Sequence, residues 1–269
     1  MTLLVRDEAD ILAENLAFHL ERGVDHIILM DNRSVDATAK IAGAYERAGT
    51  LTYLYQHDDD YAQSEWVTGM ARMAHERFGA DWVINADADE FWYPHAGDLA
   101  TTLSTVDPSA LCAHAQRTNF AASPPDGRPF WERMTVRYSE SVNALGWPLS
   151  GKVAHRGATD VTVAQGNHAV SFGGVPADAR DVAIDILHFP VRTYEQYRRK
   201  IVSGGAAYER NNRSETAIGD AWRHLYRRYQ AGRFEDDYRR EVLDERAIAT
   251  GTGNGRLLHD LRLREALAR

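Results

Sequence analysis

Apolar and polar positions switch between two periods along the first ninety residues. Short apolar runs at Thr2–Val5, 26–30, Leu51–Tyr55 and 82–84 read as buried strands, and the segments between them place apolar residues at helical spacing. Ile11, Leu12, Leu16 and Leu20 form one apolar face of a first helix. Asp7 is its expected N-cap, Asp10 falls near N3, and Gly23 is its stop. Ser34 or Asp36 is expected to cap a second helix that runs to Arg47 and closes at Gly49. A third helix is predicted over Gln63–Phe78, ending at Gly79, after a solvated loop at Asp58-Asp59-Asp60. Strands alternating with helices imply right-handed crossovers and a parallel sheet.

Beyond Pro94 the regularity fades. Residues 123–127 read as a turn, and 130–138, Val161–Val163 and 182–187 as further strands. From Thr193 the pattern is helical and rich in arginine, with Tyr194, Tyr197, Ile201 and Tyr208 near helical spacing. Residues 250–255 look like a flexible breaker before a short terminal helix.

Composition narrows the setting. Of 269 residues, 44% are hydrophobic and 26% charged, which fits a globular chain. No apolar run approaches the roughly 18 residues that span a bilayer, and Arg6-Asp7-Glu8 follows the first apolar residues too soon for a signal peptide. The single cysteine, Cys112, excludes an internal disulfide and a multi-cysteine zinc site, so a reducing, cytoplasmic location is expected. The net charge of −8 divides unevenly: residues 1–189 carry −13 and residues 190–269 carry +5. An acidic chain is a poor partner for duplex nucleic acid, where phosphate neutralisation supplies most of the affinity. The basic tail suits an anionic lipid surface, a polyanionic acceptor or, most simply, the chain's own acidic body. Peripheral membrane association stays open.

The chemistry concentrates at Asp87-Ala88-Asp89-Glu90-Phe91, which closes the strand begun at Trp82. Three carboxylates at the end of a buried strand are costly unless positive charge sits among them. In an open α/β sheet that end is also where ligands bind. In extended chain Asp87 and Asp89 point to the same side and can share one cation. Oxygen donors suit Mg2+ or Mn2+, and these ions commonly bring a phosphate. A metal–diphosphate site is expected. Asp31 and Arg6 end neighbouring strands and should converge on it, although an Asx turn with Asn32 and an ion pair are their simpler roles. Trp66, Trp92, Trp131 and Trp147 include candidate sugar-stacking platforms.

Together these segments resemble a known family. Leu4-Val5-Arg6-Asp7-Glu8, Gly23-Val24-Asp25-His26-Ile27-Ile28 and Asp31-Asn32-Arg33-Ser34-Val35-Asp36 are similar to the opening of family 2-type GT-A glycosyltransferases. The segment from Ala80 to Phe91 is similar to their DxDEF-bearing branch. Lys152, Gly166-Asn167-His168 and His188-Phe189-Pro190-Val191-Arg192 also resemble segments of that branch. The resemblance implies a GT-A-like mixed, mostly parallel sheet flanked by helices, with a catalytic domain over 1–205 and a helical extension over 206–269. It further implies a nucleoside-diphosphate-sugar donor, Mn2+ or Mg2+, and inversion at the anomeric carbon. The acceptor would be a glycan, a lipid-linked molecule or a small molecule. Asp31 would lie by the nucleobase or ribose, Asp87 would approach the ribose, and Asp89 would ligate the metal.

His188, and after it His168, would complete the metal coordination. Lys152, Arg192 and Lys200 would meet phosphate oxygens. The acidic pair from which many members draw their catalytic base is missing, which leaves Asp185, Glu132 and Glu90 as candidates. Glu90 points away from the aspartates in a continuing strand, where an arginine could hold it instead. Two other functions share this chemistry: nucleotidyl or phosphoryl transfer, and inactive binding of a nucleotide sugar or glycan.

Overall fold

The structure is a computed structural model that describes residues 1–58, 62–210 and 219–268. The chain runs β1 (Thr2–Val5), α1 (Leu12–Glu21), β2 (Ile27–Asp31), α2 (Thr38–Arg47), β3 (Leu51–Tyr55), α3 (Gln63–Phe78), β4 (Trp82–Ala86), β5 (Glu90–Pro94) and α4 (Leu99–Ser104). It continues through β6 (Cys112–Asn119), α5 (Phe130–Arg133), β7 (Val136–Tyr138), β8 (Lys152–Arg156), β9 (Val161–Val163), β10 (Val170–Phe172), β11 (Val175–Pro176) and β12 (Ala179–His188). Then α6 (Tyr194–Arg210), α7 (Asp220–Gln230), α8 (Phe234–Glu241) and α9 (Glu245–Gly253) lead to β13 (Leu257–His259) and α10 (Arg262–Leu267). Two compact units result, one from Met1–Arg117 with Ser150–Ile186, the other from Thr118–Leu149 with Leu187–Arg269.

The first unit is built on an eight-stranded sheet in the order β3-β2-β1-β4-β8-β6-β12-β5. β1, β2, β3 and β4 pair in parallel, and β8 runs antiparallel to both β4 and β6. This mixed sheet flanked by helices is the GT-A-like α/β architecture expected of the sequence. Helices on both faces explain why the early strands are apolar throughout rather than alternating. Ile28 joins Val67, Met70, Ala71 and Ala74 of α3 in one cluster with Val83, Cys112 and Val153. Its neighbours Ile27 and Leu29 point to the other face and are also fully buried, as are Ile11, Leu12 and Leu16. A Met70→Ala change in such a core costs about 2–5 kcal/mol.

Some local expectations are corrected. Asp7 does not cap α1. It takes a left-handed conformation (φ 55°), and its carboxylate accepts the Val35 N–H at 2.7 Å, so α1 starts only at Leu12. Asp36 does hold the start of α2, accepting the Thr38 N–H at 2.8 Å. The stretch 130–138 is a helical turn and then a strand, because Pro129 sets the entry and Arg133 folds back to hydrogen bond Ser123 O and Arg192 O. Most of 250–255 belongs to α9. Gly251 is buried there, and a Cβ would fall 2.4 Å from Leu257 Cδ1, so close packing explains the glycine. Trp66 and Trp92 are core residues. Asp58 is exposed, while Asp59 and Asp60 lie outside the described residues.

The second unit packs Tyr197, Ile201 and Phe234 with Ala122 and Val191, ringed by Tyr194, Trp222, Tyr229 and Tyr238. Several of its arginines find carboxylates within the unit: Arg228 and Arg240 on Asp237, Arg137 and Arg262 on Asp260. Among the described residues no helix is long and apolar enough to cross a membrane.

Two buried histidines generate a test. Burial lowers His19 to about 3 and His155 to about 4, each partly offset by a backbone carbonyl at Nδ1. In the unfolded chain both titrate near 6.5. As pH falls below about 6.5 the unfolded state therefore binds up to two more protons than the folded one. Stability drops by roughly 1.4 kcal/mol per pH unit for each histidine, down towards their folded values. Thermal unfolding should show Tm falling between about pH 7 and pH 5. A constant Tm across that interval would contradict neutral buried imidazoles.

Candidate active site

Topology alone gathers charge at one end of the sheet. β1 lies between β2 and β4, in parallel, with Val5 beside Asp31 and Leu3 beside Ala86. Arg6, Asp31 and Asp87 therefore leave adjacent strands at the same edge. β8 is antiparallel to β4, so it begins there with Lys152. β6 is antiparallel to β8, so it brings Arg117 near its own end to that edge.

Between β4 and β5 the chain makes a tight turn over 87–89, closed by the Glu90 N–H on Asp87 O at 3.1 Å. This corrects the extended reading, in which both aspartates shared a face. The Asp87 side chain is 36% exposed, whereas Asp89 is 1% exposed. The Lys152 ammonium lies 2.5 Å from Asp87 Oδ2 and 3.0 Å from Glu90 Oε1. Arg117 donates to the same Glu90 oxygen at 3.0 Å, and Glu90 Oε2 accepts the Asp87 N–H at 3.2 Å. Glu90 and Lys152 are essentially removed from water. Two carboxylates and two cations thus compensate each other where unpaired charge would cost several kcal/mol. Glu90 anchors the turn through its bonds to Lys152, Arg117 and the Asp87 N–H, which engage both of its oxygens.

Gly151 makes this approach possible. A Cβ there would meet His114 Nε2 at 2.2 Å and Ala115 O at 2.4 Å, so β8 starts against β6 only with glycine. Its carbonyl accepts from His168 Nδ1 at 2.7 Å, which leaves Nε2 with its lone pair. Packing around the ring lowers the basicity of His168, as do Lys152 and Arg117, while Glu90 opposes them. The imidazole is therefore a neutral donor beside the charge cluster.

The loops after β1 and β2 are fastened together. Asp31 is fully buried, with Oδ1 on the Ser34 N–H and Oδ2 on the Tyr53 hydroxyl, both at 2.8 Å. Burial, reinforced by that carboxylate, raises the Tyr53 phenol above its usual range. Ser34 Oγ accepts the Asp7 N–H at 2.9 Å, Thr38 Oγ1 the Glu8 N–H at 3.0 Å, and Asp36 Oδ2 the Ala9 N–H at 3.1 Å. Among the described residues, Asp7, Arg33 and Asn167, the last beside His168, are the non-glycine residues with positive φ. Such conformations cost about 1–3 kcal/mol each and collect where surrounding structure fixes a ligand surface.

The other expected residues have contacts of their own. Asp185 on β12 pairs with His95 Nε2 at 3.0 Å and is one-third exposed. Glu132, His188, Arg192 and Lys200 belong to the second unit. There His188 Nδ1 meets Asn119 Oδ1 at 2.6 Å. Arg192 is buried and donates to Phe189 O, and Lys200 Nζ sits 5.9 Å over the Trp222 ring. Sequence reasoning missed Arg117, whose strand has little apolar signal, and Asn15, discussed below. Asn15 was detectable as an amide on the apolar face formed by Leu12 and Leu16.

Among the described residues no three His, Cys, Asp or Glu side chains converge as a ready metal cage. Asp89 and His168 offer a hard oxygen and a neutral nitrogen, donor types that suit Mg2+ or Mn2+.

The ion cluster predicts its own energetics. Lys152→Met should destabilise the fold by about 3 kcal/mol, because Asp87 and the buried Glu90 lose their shared cation. Adding Glu90→Gln should recover part of that loss, since the double variant no longer buries the excess charge. Urea unfolding measures both. A Lys152→Met variant as stable as the parent would remove the cluster from the fold's energetics.

Comparison with curated proteins finds no match. Among solved structures the chain is similar to S. aureus TarS, at 13% identity and a TM-score of 0.42, covering 92% of this chain and 49% of that one. It is also similar to residues 1–349 of S. aureus TarS in complex with UDP-GlcNAc, at 11% identity and a TM-score of 0.44, covering 92% and 82%. The chain spans about half the length of the first of these. At those scores the assignment rests on the sequence, which supports the expected glycosyltransferase but through family 92, not through the family 2 branch. The model of glycosyltransferase family 92 matches residues 2–170, well over half of the protein, and the chain belongs to that family.

Proposed function

We propose that the chain transfers a glycosyl group from a nucleoside-diphosphate sugar to a hydroxyl acceptor, with inversion and with Mn2+ or Mg2+. The observation that carries this reading is the turn 87–89 at the strand ends, backed by Lys152 and Arg117. When bound, the cation offsets the charge that develops on the departing diphosphate. Asp89 and His168 would hold it. Asp31 and the fastened loops around it present a rigid surface for the nucleoside, and Asp87 lies where a ribose hydroxyl could be met.

Lys152 and Arg117 share carboxylates among themselves in this structure, and a diphosphate gives both cations further oxygens to bind. The acceptor oxygen attacks the anomeric carbon as the carbon–oxygen bond to phosphate breaks, and its proton passes to a base. Asp185 serves best in that role: its carboxylate is partly exposed, and His95 orients it.

Asp89→Asn should lower kcat by roughly 10²-fold or more in the folded variant. Nucleoside diphosphate release should stop in excess chelator and return with manganese. Parental turnover in either arm would overturn the metal assignment. Release of pyrophosphate instead would mark nucleotidyl transfer.

A further inference from the structure

The donor turn is held from behind by two polar residues of α1. Asn15 and His19, one helical turn apart, have no exposed surface. The Asn15 amide nitrogen donates to Ala88 O and to Glu90 O, each at 2.9 Å. These are the carbonyls of the two residues that neighbour Asp89, and both amide hydrogens are spent on them. His19 Nε2 accepts the Trp92 N–H at 3.1 Å, so Nδ1 carries the proton. That proton goes to Asn15 O at 2.8 Å, with Asn15 Oδ1 at 3.2 Å. The ring is stacked on Phe91 and edge-on to Phe18, which leaves it no other orientation.

A leucine at either position would continue the apolar face without burying polar groups. The polar pair does something a leucine cannot: it pins the Ala88–Asp89 and Glu90–Phe91 peptides, which bracket Asp89. We propose that Asn15 is a positioning residue for glycosyl transfer, holding the turn so that the Asp89 carboxylate is aimed at the donor's metal, with His19 locking Asn15 in place. This rests on the donor-site reading above. A side chain within a three-residue turn swings with its backbone, so pinning the peptide before Asp89 and the one after Glu90 restricts its direction.

The test is calorimetric titration of a nucleoside diphosphate into the full chain, in manganese and in chelator, for the parent, Asn15→Asp and Asn15→Ala. Asn15→Asp keeps the shape but sets an oxygen against two carbonyl oxygens, while Asn15→Ala removes both donors. Each variant should bind roughly tenfold more weakly than the parent in manganese and within about twofold of it in chelator. A purely structural role would weaken both titrations equally or neither, and either result overturns the proposal. If Asn15→Asp fails to fold, Asn15→Ala and His19→Gln carry the same comparison. A parent that gains no affinity from manganese overturns the metal reading itself. A parent that does gain, with variants that keep the whole gain, overturns the clamp alone.

Discussion

Glu90 is a carboxylate with no exposed surface, and the structure around it is arranged to make that tolerable. A buried anion needs cations and donors in good geometry, and they come from three separate strands: Lys152 from β8, Arg117 from β6 and the Asp87 N–H from the end of β4. Those strands must therefore end together, with the turn between β4 and β5 lying among them. The same requirement explains the glycine before Lys152, since only a residue without Cβ lets β8 begin so close to His114 and Ala115. A charge that would be a liability elsewhere thus fixes the register of the sheet at the end where these strands meet.

Around that anchor the mobile parts of an α/β edge are made stiff. The loops after β1 and β2 exchange side-chain-to-backbone bonds through Asp7, Ser34, Asp36 and Thr38, and Asp31 is tied to Tyr53 on the next strand. Asn15 does the same for the turn 87–89 from the helix beneath. Each loop is held by groups that satisfy otherwise unpaired backbone donors or acceptors, so rigidity and hydrogen-bond satisfaction are one requirement here. An edge stiffened in this way has little conformational entropy left to lose when it meets a ligand.

Much of this was legible in the chain itself. β1, β3 and α3 occupy the residues their periodicity indicated, since a strand or helix buried on a given face writes that face directly into its own spacing. The carboxylates at 87–90 announced a site because buried charge at a strand end demands compensation, and Lys152 stood out through family resemblance. Periodicity failed where one residue redirected the backbone, as at Pro129, or where glycine served packing rather than flexibility, as at Gly251.

What the local pattern determined, then, was the parallel half of the sheet, its helices and the presence of an acidic turn awaiting a cation. Only the tertiary structure decided which cations arrive. Lys152 is 65 residues from Asp87, and Arg117 is 27 from Glu90. Those pairings depend on which strands become neighbours, and no local period encodes that. The tertiary structure also decided that the two aspartates differ in exposure, and that an asparagine on an apolar helix face holds the turn between them. A polar residue at a core position can be seen in the sequence, but its partner appears only when the chain has folded.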